Sequence, residues 1–439
     1  MRGAVLCLVV FIATVYGEEA SCFREGFSQQ AICNSWLYNY NNTSVYFSDT
    51  LTSVQNASVV SITGRKYMQI KCTGIPEYDH TITQSDITWL DSRPKATTDF
   101  NNGKTNATVG EIVSFGQSIG YNTTIHGCDL EYWPPGPGCP AFSDKIGNIP
   151  IQPSPSDRDC FTTLGPIGFW LNGVSVYNWW DGTSYNNDNT WHVMAAWDEY
   201  YDLDICSGHA TGFGDYHHHT FPNCLRDILQ DNGTAPSPIY GFAADGYPIM
   251  GPWIREGVLA KSCWKNRNYD DPDSPTACGV AHKRTCLLVD QYDISKGTVA
   301  TSNPGPDTTA NVTTQSCNSL QASSGFFFED HYYDSTCTEQ GDEYLDQYNG
   351  RQDATFGYVY HTTIDNLDNP EFVRSTFPHF IGPTFYGQID ANTIIQCSSS
   401  AFSGPPGAPP GGPPSGPPGG PPSGPPSGPP SGPPGGCPV

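Results

Sequence analysis

Short hydrophobic runs alternate with turn-forming residues along most of this chain. Between residues 22 and 400, runs rich in Val, Ile, Thr, Tyr, Phe and Trp, such as 58–62 and 111–115, are separated by Gly, Pro, Asn and Asp. This rhythm is typical of many short strands joined by turns. The best short helix candidates are residues 190–201 and 224–230. The pattern predicts an all-β or β-rich α+β fold in a single large, disulfide-rich domain.

The two ends of the chain differ in composition from the middle. Residues 1–17 combine an early Arg2 with an apolar stretch and small residues before Glu18, which predicts a secretory signal peptide. Residues 401–439 repeat Gly-Pro-Pro units with a period of four, whereas a collagen triple helix needs Gly at every third position. We therefore expect a disordered or polyproline-like tail after a domain that covers residues 18–400.

Cysteine usage and glycosylation sequons agree with a secreted, extracellular protein. Fourteen of the sixteen cysteines lie between Cys22 and Cys397, an even number that allows seven disulfides. Cys437 is then left over, and it is a candidate for a disulfide between two chains. Seven Asn-x-Ser/Thr sequons are predicted N-glycosylation sites: Asn41, Asn42, Asn56, Asn106, Asn122, Asn232 and Asn311.

The formal net charge of −24 narrows the choice of partners. The chain has no Lys/Arg cluster that could neutralise phosphates, so nucleic acid is excluded as an expected partner. No segment after the signal peptide approaches the roughly 20 apolar residues of a membrane span. Self-association, or contact with matrix components through the tail and Cys437, is the expected type of interaction; a solubilising tail is the alternative.

The run Tyr216-His217-His218-His219 holds three of the eleven histidines. In a strand, successive side chains point to opposite faces, so His217 and His219 project together. Such a pair offers two nitrogen ligands to copper or zinc. The alternative is a packed, hydrogen-bonded cluster without metal.

A second strand-like segment resembles this run. Tyr216 to Thr220 and Tyr358 to Thr362 both read Tyr-x-x-His-Thr. If the two strands are neighbours in a sheet, His361 faces His219 at a cross-strand distance of about 5 Å. Two local ligands and one distant ligand would then form a metal site of His217, His219 and His361.

These motifs resemble those of the YHYH-domain family of secreted proteins. The resemblance implies one continuous domain from roughly residue 40 to 395 and no defined reaction. The sequence departs from the family motif at His218, where the motif has tyrosine, and at Val359, where the second copy would carry histidine. The segments that carry the resemblance are 74–76 with His80, 165–168, 171–174, 204–209, 216–219, 237–252, 345–351 and 357–361.

Further polar residues are candidates for the same site. His80 and His209 are additional candidate ligands, and Asp204 could orient His209; a hydrogen-bonded turn pinned by Cys206 is the alternative. Glu199 is a candidate general base near a metal-bound water, although a solvated acid is the more common role. Four further histidines have no partner pattern and are interpreted as ordinary ones: His192, His282, His331 and His379.

Two functions remain open on the sequence alone. The first is an extracellular structural or binding glycoprotein that carries a histidine site for copper or zinc. The second is a secreted metal-dependent enzyme, either a copper oxidoreductase or a zinc hydrolase, acting at the histidine cluster. The absence of a complete catalytic set favours the first.

Overall fold

A computed structural model describes residues 53–122, 138–315, 318–365 and 375–395, together with residues 36, 46, 47, 50, 51 and 397. The chain is strand-rich, as predicted. The strands are β1 Tyr46–Phe47, β2 Thr50–Leu51, β3 Val54–Ile62, β4 Arg65–Cys72, β5 Asp79–Thr81, β6 Ile112–Ser114, β7 Lys145–Pro150, β8 Pro166–Trp170, β9 Ser175–Tyr177, β10 Trp180–Ser184, β11 His192–Met194, β12 His209–Ala210, β13 Tyr216–His218, β14 Ile239–Ala243, β15 Pro248–Met250, β16 Trp253–Arg255, β17 Val258–Leu259, β18 Trp264–Asn266, β19 Cys286–Leu288, β20 Thr298–Ala300, β21 Asn311–Thr313, β22 Ser319–Gln321, β23 His331–Tyr333, β24 Gly350–Asp353 and β25 Gly357–His361.

Among the described residues, helices are few and short. They are α1 Gln84–Asp91, α2 Ala96–Asp99, α3 Ala195–Asp198 and α4 Asn223–Ile228, with 3-10 turns at Tyr185–Asn187, Tyr200–Asp202, Ile294–Lys296, Phe328–Asp330 and Cys337–Gln340. The predicted helix at 224–230 corresponds to α4. The predicted helix at 190–201 is instead strand β11 followed by the four-residue helix α3, because β11 pairs with β10 and tertiary pairing overrides local propensity.

Strands β3 and β4 form a hairpin that shows how local sequence sets the register. The two residues between them, Thr63 and Gly64, both have positive φ angles, of 50° and 82°. This is the type I′ geometry that matches the right-handed twist of the flanking strands. Strand β7 pairs with the other edge of β4 and completes a three-stranded sheet.

An eight-stranded sheet forms the centre of the molecule, in the order β12-β13-β9-β8-β14-β15-β25-β24. The pairs β13–β9 and β15–β25 are parallel, and the other pairs are antiparallel. Every residue of β13, β14 and β15 is buried. Strands that are covered on both faces read as continuous apolar runs, which explains the stretch from Ile239 to Ala243.

The two faces of this sheet belong to separate hydrophobic cores. In β14, Phe242 packs into one core and the adjacent Ala243 into the other, as the alternation of a strand requires. Tyr240 lies on the Ala243 side, because the register shifts between Ile239 and Gly241. The Phe242 core also contains Met68 and Ile70 of β4, so the three-stranded sheet covers that face. Tyr216 packs into the Tyr240 core.

Disulfides connect distant parts of the chain, as expected. Pairs in which both cysteines are described are Cys160–Cys397, Cys206–Cys224, Cys263–Cys337 and Cys278–Cys286. Cys139 is disulfide-bonded as well. Cys72, however, is a free thiol, buried at the end of β4 against Gly173, so the seven disulfides that fourteen cysteines would allow do not all form. Burial raises the pKa of this thiol to about 12.

Predictions about the two ends of the chain and about glycosylation are only partly covered by the described residues. The signal peptide, Asn41, Asn42 and the tail with Cys437 lie outside the described residues. Among the sequons within them, Asn56, Asn106, Asn232 and Asn311 are exposed and Asn122 is half-buried, and their glycosylation stays a prediction. In the part of the chain that is described, no helix has the length and apolar character needed to cross a membrane.

Candidate metal centre

One edge of the eight-stranded sheet brings three histidines together. His209 of β12 is directly opposite His217 of β13 in the antiparallel register. His219 follows two residues after His217, so both rings project to the face opposite Tyr216 and His218, as the strand alternation predicts. The alternate ring, His218, instead faces the carbonyl oxygen of Cys206, 3.2 Å from its Nε2 atom.

Glu199 completes the group from a different element. It follows α3 directly and is buried together with the three histidines. Its Oε2 atom lies 3.2 Å from Nε2 of His209 and 3.1 Å from Nε2 of His219. The Nε2 atom of His217 lies 3.0 Å from that of His209 and 2.9 Å from that of His219. The four atoms therefore form a closed ring of short contacts.

The proton positions on His217 and His219 follow from their other ring nitrogens. Nδ1 of His217 lies 2.9 Å from the carbonyl oxygen of Asp215, and Nδ1 of His219 lies 2.6 Å from that of Asn178. A carbonyl oxygen only accepts, so both Nδ1 atoms donate, and each neutral ring carries its lone pair on Nε2. The two lone pairs then face one another and the Glu199 carboxylate.

A metal cation can accept the Nε2 lone pairs and the Glu199 carboxylate oxygen as ligands at the same time. One extra proton can form a hydrogen bond in only one of these contacts. Imidazole nitrogens and carboxylate oxygens bind zinc at about 2.0–2.2 Å, which places neighbouring ligand atoms about 2.9–3.4 Å apart for right-angled to tetrahedral arrangements. The four contacts of Glu199, His209, His217 and His219 lie in this range. This buried group of three histidines and one glutamate has the composition and spacing of a metal site.

The pKa shifts within the group arise from burial and from the charges of its own members. Burial opposes ionisation of Glu199, but the charges of His209 and His219 outweigh it and hold the pKa of this carboxyl well below its usual range. Burial, together with the charges of His209 and His219, holds the pKa of His217 well below its usual value. The pKa of His219 is raised, because the charge of Glu199 outweighs the effect of burial.

Neighbouring side chains fix the orientation of the His217 ring. It stacks on Tyr177 of β9 with ring centroids 3.8 Å apart. The Tyr177 hydroxyl donates to Oδ2 of Asp215 at 3.0 Å, and Lys145 forms an ion pair with the same carboxylate. Partners of this kind orient ligands and strengthen metal binding.

The structure does not bring His361 to this group. His361 ends β25, and four strands separate β25 from β13 in the sheet, so at about 4.8 Å per strand the two lie about 24 Å apart. Its Nδ1 donates to the carbonyl oxygen of Gly251 at 2.8 Å, and its Nε2 accepts from Nε of Arg351 at 3.2 Å. The assumption that the two Tyr-x-x-His-Thr strands are neighbours is therefore wrong.

The other candidates divide between the site and its surroundings. His209 lies in the group, whereas His80 lies apart from it, with Nε2 2.9 Å from Oδ2 of Asp86 and Nδ1 3.6 Å from Asp227. Glu199, a candidate general base on the sequence, lies within the group and could hold a metal ion. The sequence offered no periodic signal for it, because it comes from the end of a four-residue helix rather than from the histidine strands.

Asp204 organises the turn that leads into β12. Its Oδ1 accepts from the backbone N–H groups of Cys206 and Gly208 at 2.8 and 3.1 Å. Its Oδ2 accepts from the hydroxyl of Tyr216 at 2.7 Å and from that of Tyr78 at 3.0 Å. The alternative of a hydrogen-bonded turn beside the Cys206 disulfide therefore describes its contacts.

Comparison with known proteins finds a family match. The model of the family described as "YHYH protein" matches residues 147–374, just over half of the chain. The four residues of the metal group all lie inside that range. No curated protein and no solved structure matches the chain.

Proposed function

The chain belongs to the YHYH protein family, and we propose that it is a secreted, N-glycosylated extracellular protein that binds copper or zinc through Glu199, His209, His217 and His219. The observation that carries the metal assignment is the meeting of lone pairs at Nε2 of His217 and His219, 2.9 Å apart, with both Nδ1 atoms committed to carbonyl oxygens. Three imidazoles and one carboxylate suit zinc and copper better than calcium or magnesium, which prefer oxygen ligands.

A structural or binding role is supported better than catalysis. Zinc sites that catalyse reactions keep one coordination position open to water, whereas structural sites are closed by four protein ligands. Here four protein ligands are available and all four are buried. The metal would then tie β12 and β13 to the segment after α3, and the protein would act as a stable, metal-bound extracellular building block.

Metal analysis of the purified full-length protein tests this proposal. Wild-type protein is expected to hold close to one equivalent of copper or zinc, and His217→Ala and Glu199→Gln are expected to lose most of it. His361→Ala is the matched control, since His361 is also a buried sheet histidine but lies outside the group, and it should keep the metal. Metal-free wild-type protein, or equal metal in all four proteins, would contradict the assignment.

The extracellular part of the proposal is supported by the disulfides and tested separately. Disulfides persist in oxidising compartments and are rare in the cytosol. We propose that Cys437 links two chains, and a non-reducing gel should show a dimer that Cys437→Ser abolishes. A purely monomeric wild-type band would exclude that link without bearing on the metal site.

A further inference from the structure

A cavity of about 530 Å³ lies beside the metal group. Trp197 and Tyr200, which flank the segment containing Glu199, form part of its wall, and so does Thr220, which follows His219. The opposite wall comes from β18, β23 and the segment after residue 374. This volume falls in the range of pockets for small organic ligands.

Much of the wall is aromatic or thioether surface. Trp197, Trp264 and Phe377 line the cavity together with Met194. Trp197 is 41% exposed although it is a large apolar residue, and its indole N–H donates to the carbonyl oxygen of Gly325 at 3.0 Å, which fixes the ring. A fixed aromatic ring that stays accessible at a cavity is typical of a surface that stacks on a flat ligand.

His379 is the polar group that points to a specific ligand. It lines the cavity and is only 3% exposed, yet neither ring nitrogen makes a hydrogen bond of ordinary geometry among the described residues. Burial and the charges of His331 and His219 lower its pKa, and the backbone of Ser375 opposes them only in part. Buried imidazoles are normally paired, because an unpaired polar group costs free energy.

Backbone hydrogen bonds fix the position of His379 at the cavity wall. Its φ angle of 76° lies in the left-handed region, which side-chain-bearing residues adopt rarely. The backbone N–H of His379 donates to the carbonyl of Thr376 at 2.8 Å, and its own carbonyl accepts from Thr363 at 3.0 Å. Strained backbone that is held by its neighbours is a recurring feature of ligand sites.

The charged groups at the cavity favour an uncharged ligand. Lys265 is paired with Asp334 at 2.5 Å, and Asp365 also has a partner. Burial lowers the pKa of His379 to about 3 and that of His331, a second wall residue, to about 4. Both imidazoles are therefore neutral near pH 7. His379 can donate one hydrogen bond and accept another, whereas Nδ1 of His331 already donates to the carbonyl oxygen of Phe327 at 3.0 Å.

We infer that this cavity binds a small neutral phenol, with its ring against Trp197 and Phe377 and its hydroxyl hydrogen-bonded to His379. A hydroxyl both donates and accepts, so it matches a neutral imidazole in either tautomer. The ring matches the aromatic walls. This inference does not depend on the metal assignment, since none of the four metal-group residues lines the cavity.

Calorimetric titration of the full-length protein with 4-ethylphenol, and with ethylbenzene as the ligand without a hydroxyl, tests the inference. Wild-type protein should bind 4-ethylphenol more tightly. His379→Phe keeps a ring of similar size and should weaken 4-ethylphenol binding about tenfold, the effect of one lost hydrogen bond, with ethylbenzene binding unchanged. His282→Phe is the matched control, at a half-buried histidine outside the cavity that also has a positive φ angle, and should bind both ligands like wild type.

Two further variants keep the result interpretable. His379→Asn retains a donor and an acceptor and tolerates the left-handed backbone, so it should restore part of the preference for the phenol. His217→Ala should bind 4-ethylphenol like wild type even if it loses metal. The inference is overturned if wild-type protein binds neither ligand, if it binds glucose but not the phenol, or if His379→Phe weakens both aromatic ligands equally.

Discussion

Metal removal should lower the melting temperature of this protein by an amount that can be worked out in advance. The wild-type protein is compared with a chelator present and with free copper or zinc at about one hundred times its dissociation constant. Binding to the folded state alone then stabilises it by about 2.7 kcal/mol. The ligands come from β12, β13 and the segment after α3, which the unfolded chain does not hold together.

Dividing this free energy by the entropy of unfolding gives the expected shift in melting temperature. About 2.1 cal/mol/K per residue over roughly 320 described residues gives about 0.7 kcal/mol/K. The expected shift in Tm is therefore about 4 °C. Differential scanning calorimetry resolves a shift of this size when protein concentration and scan rate are held constant.

Single-residue variants show whether the shift comes from this group. His219→Ala removes one ligand and should leave Tm nearly independent of added metal. His361→Ala should lose some stability, because His361 is buried, but should keep the full shift on metal addition. The reasoning is refuted if wild-type Tm is the same in chelator and metal, or if His361→Ala loses the shift while His219→Ala keeps it.

Three further predictions concern the framework around the site. The carboxylates of Asp86 and Asp227 overcome the effect of burial and raise the pKa of His80 to about 9, above its unfolded value of about 6.5. Protonated His80 thus contributes at most about 3 kcal/mol to the free energy of unfolding; this contribution is present below pH 6.5 and is lost as pH rises through 9. Urea denaturation at a series of pH values should show this decline in wild type but not in His80→Gln. Arg284→Met leaves the fully buried Asp330 carboxylate without its partner and should lower the free energy of unfolding by about 3–5 kcal/mol; a loss under 1 kcal/mol would contradict this. The Cys206–Cys224 disulfide closes a loop 18 residues long. Replacing both cysteines with alanine should lower the free energy of unfolding by about 3 kcal/mol and, by displacing β12, weaken metal binding. Unchanged metal affinity would show that the turn keeps its position without the disulfide.

The part of the site that the sequence predicted correctly is the part that depends on local geometry. The pairing of His217 with His219 follows from the two-residue period of a strand, which any strand at that position must obey. The strand-rich fold follows from the same kind of local pattern. His209 lies near enough in sequence, across a short hairpin, to be a reasonable candidate.

The wrong predictions concern contacts between residues that are far apart in the sequence. The resemblance of the two Tyr-x-x-His-Thr segments says that both are strands, but it carries no information about how many strands lie between them, so His361 was misplaced. Glu199 reaches the group through the packing of α3, which no short-range pattern encodes. Cys72 is a free, buried thiol, and counting cysteines does not reveal which of them lie apart from a partner.

The disulfide between Cys160 and Cys397 makes most of the family domain a covalent loop. One proteolytic cut anywhere inside this loop leaves two fragments that are still joined, so nicked protein has the size of the uncut chain until it is reduced. Both fragments stay tethered at high effective concentration and can remain paired within the eight-stranded sheet. Resistance to proteases should therefore be judged on reducing gels, since non-reducing gels would hide such cuts.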